Sequence, residues 1–338
     1  MTLPLLPTMG VGSYAAPGWL IGARGPMRDG AFGPADVDEL FEDATRIAIA
    51  DQLEAGLDVI TDGELHRSRF VYEMFGHLSG LERVSARRKL GIGGYDQAPH
   101  FKVTGPITAP RGLGVVAEFK ALQRLAPGRP LKVALPGPIT FADPLIAGER
   151  GAAAILDELV TIVRAEISAL VAAGAEFVQL DEPGWSHPPL GLSHADGVAV
   201  INRTLAGFKV RRAVHVCFGN NAGRPIADRR MAHLISPMSD LDCEQLVLEF
   251  ANREMADIER MAELSSRFEI AAGVVDVKNF HLEDAEQVDE RIHRCLAHIP
   301  RDKLWLTADC GFSALPRSLA RAKVQALVAG ARLARTRL

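Results

Sequence analysis

Four residues spread over nearly a hundred positions carry the clearest chemical signal in the chain: His215 and Cys217 in AVHVCFG, Glu249 in LVLEF and Cys310 in LTADCGF. In an extended strand alternate side chains share a face, so His215 and Cys217 can reach one metal ion from a single backbone segment. Glu249 and Cys310 each end an apolar run of their own. Two thiolates, an imidazole and a carboxylate suit Zn²⁺, a borderline-soft ion, better than Mg²⁺ or Ca²⁺, which take oxygen ligands. A plainer alternative exists, because a buried cysteine packs as a small hydrophobe and a strand histidine is often a core residue. The placement of the other polar residues weighs against it.

Those residues need a scaffold. Short β-rich runs alternate with long stretches of helical periodicity, the pattern of parallel strands joined by crossover helices. Eight candidate strands end near Ser13, Asp62, Gly137, Asp181, Cys217, Glu249, Asp276 and Cys310. Helical stretches such as 37–57, 151–174 and 284–298 lie between them, apolar every three to four residues. The expectation is an α/β fold, a single TIM (β/α)8 barrel forming one catalytic domain over residues 1–338. Residues 81–110, rich in Gly, Arg and Pro before the β-like FKVTGP, read as a hairpin-like insertion after strand 2, placed over the barrel mouth. A doubly wound sheet would alternate too, but the first strand leads into GVGSYAAPGW, which lacks a GxGxxG fingerprint.

Composition narrows the partners. With 48% hydrophobic and 24% charged residues the chain is an ordinary globular one, and no apolar run is long enough to span a bilayer. The start, MTLPLLPTMG, has no signal-type pattern, and four cysteines in 338 residues make no disulfide framework. A reducing cytoplasm is the expected compartment. A net charge of −4 and the absence of a basic stripe argue against nucleic acid; the basic cluster at residues 87–89 reads as a solvated loop.

In barrels of this class function is built where strands end at their carboxyl side. Ser13, Asp62, Glu64, Asp181, Glu182, His215, Cys217, Glu249, Asp276 and Cys310 all fall at or just past a strand end. Any one of them, Asp62 and Asp309 especially, could be a cap or turn residue. Their coincidence over most of the strands is the stronger observation.

As an ordered set, GVGSY (10–14), GLDVITDGE (56–64), TGP (104–106), PGPIT (136–140), QLDEP (179–183), HVC (215–217), the Glu249 strand, GVVDVK (273–278) and ADCG (308–311) resemble the catalytic barrel of cobalamin-independent methionine synthase and its shorter single-barrel relatives, across residues 5–333. The resemblance implies zinc-dependent alkyl transfer to a small thiol, with zinc held by His215, Cys217, Glu249 and Cys310. It also matches Glu64 and Asp181 to acidic residues that hold the amino group of homocysteine, and Gly12 and Ser13 to the segment that receives its carboxylate. Alternatives are a salt bridge from Glu64 to Arg67 or Arg69 and a helix cap at Asp181. The chemistry is sound on its own terms, since coordination to Zn²⁺ deprotonates a thiol that is otherwise mostly protonated at neutral pH.

Two departures bear on the methyl donor. Where the folate-using family carries a histidine, Lys278 stands; where it carries a tryptophan after its GPxT motif, this chain has Phe141. Methylfolate, methylcobalamin and a methylcorrinoid protein are all candidate donors. Asp276 and Lys278 are the candidate acid residues, as a pair. Trp185 and His187 follow DEP near the rim, and Cys243 and Cys295 match no motif and read as structural. A second branch of the resemblance, the epoxyalkane:coenzyme M transferases, would need a guanidinium for the sulfonate, with Arg67, Arg69 and Arg224 as candidates. A reading of another class is a structural-zinc barrel that binds a small ligand or partner without catalysis.

Overall fold

A computed structural model describes residues 3–67, 70–86, 98–220 and 223–338. Arg69, the basic cluster at 87–89 and the middle of the 81–110 insertion lie outside those residues. In chain order the strands are β1 (Ser79–Val84), β2 (His100–Thr108), β3 (Val133–Pro136), β4 (Leu145–Ile146), β5 (Phe177–Asp181), β6 (Arg211–Val216), β7 (Gln245–Glu249), β8 (Glu269–Val275) and β9 (Leu304–Ala308). Six of them form one parallel sheet in the order β3-β5-β6-β7-β8-β9. Helices cross between them, including Pro34–Ala55, Ala152–Ala172 and Ala285–Leu296, where the apolar periodicity places them.

The first two expected strands are reduced to short bridges. Thr8 pairs with Leu306, Met9 with Val59 and Ile60 with Leu131, all parallel, so these two segments link β9 to the start of β3. That neighbour order is the one expected of an eight-stranded α/β barrel. Side chains take over from the ladder at the second segment. Gln52 accepts from the Thr61 amide at 3.0 Å and donates to the Thr61 carbonyl at 2.9 Å, a backbone-like pairing that no β-propensity argument anticipates.

β5, β7 and β9 are buried along their whole length, as expected of parallel strands covered on both faces. Their two faces serve different cores. One large cluster packs strands against helices, while Met9, Val11, Val59, Phe177, Ala213, Val247, Ala271 and Trp305 form a separate cluster enclosed by the strands. Moving two residues at a time up the same faces gives Phe177, Gln179, Asp181 on β5, then Ala213, His215, Cys217 on β6, then Val247, Glu249 on β7. The register sets Asp181 opposite His215, His215 opposite Val247 and Glu249 opposite Gly273. Each of these strands therefore runs from the apolar plug toward polar residues at its carboxyl end.

The insertion is a hairpin in the described part. β1 and β2 pair antiparallel, and β2 also runs parallel to β4, just past the helix Pro138–Ala142. β2 alternates buried and exposed residues, which suits a strand with one wet face. Phe101 on its buried side stacks on Phe75 with 4.1 Å between ring centroids, and Phe75 meets Phe141 edge-on at 5.7 Å. No helix among the described residues is long and apolar enough to cross a membrane.

Behind the β5 loop, Trp185 is fully buried and donates its indole N–H to the His194 carbonyl at 3.0 Å. Gly197, in the helix His194–Leu205, makes room for it, since a Cβ there would overlap the indole. Helix propensity alone favours alanine over glycine by about 1 kcal/mol. Overpacking costs about 1–3 kcal/mol and opposes it. Gly197→Ala is expected to lower the denaturation midpoint, and a raised midpoint would show that the indole gives way freely.

Candidate active site

The parallel register delivers His215, Cys217 and Cys310 to one place, their ligating atoms all within 4.8 Å of one another. The Cys217 and Cys310 sulfurs stand 3.8 Å apart, unbridged. Two sulfurs bound at about 2.3 Å to one tetrahedral zinc would be separated by about 3.8 Å. His215 is fixed through its other nitrogen: Nδ1 lies 2.9 Å from Asp181 Oδ1, while Nε2 is buried with no hydrogen-bond partner among the described residues. A carboxylate behind a ligating histidine is the usual outer support of a metal site. These donors fit Zn²⁺.

Charge in this cluster is unevenly shared. The hydrogen bond with Cys217 lowers the Cys310 thiol to about 7, with His215 and Lys278 adding to the effect. The same bond, together with burial, pushes Cys217 up. Burial acts against charge on His215, but Asp181 outweighs it and raises the imidazole above its ordinary value.

Glu249, expected as the fourth ligand, is not in the three-residue group. Its Oε2 accepts from the Lys278 ammonium at 2.6 Å and from the Phe218 amide at 3.1 Å, and its Oε1 accepts from the Asn252 side chain at 3.2 Å. It remains a close neighbour, felt electrostatically by both cysteines. Lys278 was expected beside Asp276 as an acid. Instead, Asp276 Oδ1 accepts from the Lys278 backbone amide at 2.7 Å and its Oδ2 from Asn279, so Asp276 shapes the turn while the Lys278 side chain reaches across to Glu249. Burial opposes charge on Lys278, yet Glu249 and the two cysteines hold its ammonium above the ordinary lysine value. That is the wrong direction for a proton donor at neutral pH.

Ser13, Gly12 and Glu64 come together as expected. Ser13 Oγ donates to Glu64 Oε2 at 2.6 Å, and a Cβ on Gly12 would collide with the same carboxylate. Glu64 sits at φ +55°, a conformation that non-glycine residues seldom adopt, and its Oε1 is buried without a partner among the described residues. Burial raises its carboxyl to about 7, Arg67 opposing and Asp181 reinforcing the shift. Arg67 is 3.5 Å from Glu64 but belongs mainly to Glu118, to which it donates from Nε and at 2.6 Å from its terminal nitrogen. Asp181 is no helix cap; it accepts from Gln179 at 2.7 Å as well as from His215.

Lys132 acts here without having been singled out, and other residues without a role having been assigned. Lys132 is completely buried and donates to the Gly10 carbonyl and to Gln179 Oε1, both at 2.6 Å; burial brings its ammonium down to about 7. Glu182 accepts from the Ile139 and Thr140 amides and the Thr140 hydroxyl, pinning the PGPIT turn, and burial raises it to about 8. The signal for Lys132 was its place among apolar residues just before β3; Glu182 stood beside Asp181 without an assigned role. Asp309 is a turn residue, accepting from the amides of Phe250, Ala251 and Asn252 at 2.8, 2.8 and 2.6 Å. Trp185 is core, and His187 bonds Asp143 at 3.1 Å. Cys243 and Cys295 are buried, as expected of structural residues. A cavity of about 950 Å³ lies elsewhere, between the helices Val115–Leu125 and Ala152–Ala172, and none of the expected site residues lines it.

Residues 6–333 match the family model described as the catalytic domain of the cobalamin-independent synthase. The chain belongs to that family. It is 28% identical to the methionine synthase of Saccharolobus solfataricus over 99% of this chain and 97% of the relative, and 29% identical to that of Thermococcus kodakarensis over 100% and 96%. A solved B12-independent methionine synthase from Shewanella sp. W3-18-1, in complex with selenomethionine, superposes with a TM-score of 0.80 at 26% identity, covering 99% of both chains. A Listeria monocytogenes structure, 20% identical with a TM-score of 0.71, shares the fold.

Asp309 holds the turn that follows Glu249, and Asp309→Ala would leave three backbone N–H groups without their acceptor. Each buried orphan costs about 1–3 kcal/mol. A loss of at least about 3 kcal/mol in denaturant unfolding is the expected result, and a loss under about 1 kcal/mol would mean that water replaces the carboxylate.

Proposed function

We propose that this chain transfers a methyl group to the sulfur of homocysteine, giving methionine, with zinc held by His215, Cys217 and Cys310 and with Glu249 beside it. The observation that carries the reading is the three-donor group itself, with sulfurs at zinc spacing and a histidine nitrogen left bare for a ligand. Family membership and the methionine synthases among its relatives support the acceptor and the product. The family match runs unbroken from residue 6 to residue 333, which supports one catalytic barrel domain with the 81–110 hairpin inserted in it.

When bound, zinc would supply a deprotonated, nucleophilic substrate sulfur. The chain's own residues do the rest. Asp181 holds His215 in the orientation that leaves Nε2 free, and Cys217 and Cys310 would provide sulfur donors that bound zinc deprotonates. Glu249 and Lys278 form a buried ion pair alongside, so the carboxylate is at hand but engaged. Glu64 offers a bare oxygen, Oε1, to the substrate ammonium, and Gly12 and Ser13 offer backbone and hydroxyl to its carboxylate. Asp181, close enough to raise Glu64, adds to the negative potential there.

The same geometry bears on donor and competing acceptor. Phe141 is packed in the core and presents no face to a pterin, and Lys278 is committed to Glu249. A coenzyme M sulfonate would want a guanidinium, and Arg67 gives Nε and one terminal nitrogen to Glu118 while its Nη1 stays beside Glu64 without a hydrogen-bond partner among the described residues. Labelled methyl transfer to homocysteine, offered methylfolate, methylcobalamin and a methylcorrinoid protein in turn, tests the activity. No transfer from any of them to zinc-loaded protein would remove the methionine reading. A zinc first shell left unchanged by thiol in X-ray absorption would favour a structural role for the ion.

Two further results are expected. Cys217→Ser and Cys310→Ser should each weaken zinc binding by at least about 100-fold in competition with a chromophoric chelator, as loss of one of few soft ligands implies; unchanged affinity would rule out the site. Glu64 receives an ammonium only as a carboxylate, and with its folded value near 7 that form grows as pH rises through neutrality. The KM for homocysteine should therefore fall between about pH 6 and 8 in the native protein, and Glu64→Gln should raise KM and flatten that profile. A profile identical in the variant would detach Glu64 from the ammonium.

A further inference from the structure

We propose that Lys132 and Gln179, deep between the strands, are positioning residues that set the tautomer of His215 through Asp181. The argument rests on which atoms can only give and which can only take. Lys132 Nζ donates to the Gly10 carbonyl and to Gln179 Oε1, both at 2.6 Å. That contact turns the oxygen end of the Gln179 amide toward the lysine. Its nitrogen end then faces the Val11 carbonyl at 2.9 Å, an acceptor with nothing to donate, and Asp181 Oδ1 at 2.7 Å. Both neighbours demand the same amide orientation, so it does not depend on choosing between two equivalent fits.

The consequence passes upward. Asp181 Oδ1 already accepts from Gln179, and the atom it faces on His215 is Nδ1, at 2.9 Å. A carboxylate can only accept, so Nδ1 must carry the hydrogen. In a neutral imidazole the lone pair is then left on Nε2, the buried atom without a hydrogen-bond partner among the described residues. Gln179, oriented by Lys132, thus holds the Asp181 carboxylate against Nδ1; without that bond the carboxylate is free to turn away and the ring to take either form. This works whether Lys132 is charged or neutral, because either form has two N–H bonds for its two acceptors. The same two side chains hold the carbonyls of Gly10 and Val11, directly before the Gly12 and Ser13 segment, so both halves of the site share one support.

This inference deepens the zinc reading and relies on it for metal affinity, whereas the tautomer is a property of the metal-free protein, so the two fail separately. Nitrogen NMR of the His215 ring in metal-free native protein, taken at alkaline pH where the ring is neutral, is expected to show a single form with hydrogen on Nδ1. A neutral form with hydrogen on Nε2 would overturn the proposal with no variant needed. Gln179→Met and Lys132→Met should each give a mixture of ring forms and weaken zinc binding by about 10–100-fold, the usual effect of losing an outer partner of a ligating histidine. Leu246→Ala, in the outer core, serves as the control that lowers melting temperature alone. If the two relay variants lower the melting temperature as that control does, while zinc affinity and ring form stay native, their role is structural and the proposal is wrong.

Discussion

Register between parallel strands is the constraint on which the site depends. Because side chains alternate along a strand, residues two apart share a face, and the register from β5 to β8 brings those faces together, with one irregularity between β8 and β9 after Gly273. The apolar plug fills the interior with Phe177, Val247, Ala271 and Trp305. Along β5 the interior face runs Phe177, Gln179, Asp181, along β6 Ala213, His215, Cys217, and along β7 Val247, Glu249. A shift of one residue in β6 would turn His215 and Cys217 outward into the helix layer and leave Asp181 facing Val214 or Val216. The plug resists such a slip, since it would also remove Ala213 from the interior.

Placing that much polarity inside a protein is costly unless every group finds a complement. The site meets this with paired charges and shared donors. Lys278 answers Glu249, Arg67 answers Glu118 and lies near Glu64, and Lys132 is neutralised in part by burial while its hydrogen bonds are kept. Asp309 and Glu182 spend their oxygens on backbone amides, which hold the loops carrying Glu249 and PGPIT in place. Glu64 Oε1, His215 Nε2, Asp62 Oδ2 and Arg67 Nη1 are among the exceptions, each buried and without a hydrogen-bond partner among the described residues.

Much of this was legible in order along the chain. The strand ends near Asp181, Cys217, Glu249 and Cys310 could be read from apolar runs closing on polar residues, and His215 with Cys217 followed from strand alternation. The first two strands were expected but are reduced to short bridges: a few backbone bonds link them to β9 and the start of β3, and side chains of Gln52 and Asp58 take up further backbone groups at Thr61 and Thr8. Lys278 and Asp276 lie beside Glu249 and its neighbours, but their side chains do not pair. Two residues apart past a strand end, they seemed natural partners, yet the turn bends so that Asp276 takes the Lys278 amide and sends its ammonium to another strand.

By itself, then, the amino-acid order determined the succession of strands and helices, the donor types at the strand ends and the family. Those follow from local periodicity and from motifs read in line. Tertiary structure alone decided which donor faces which: Lys278 on Glu249, Arg67 on Glu118, Lys132 beneath Gln179 and Asp181 behind His215. The physical reason is that a buried charge or amide chooses its partner by distance and direction across neighbouring strands, and separation along the chain carries no information about either.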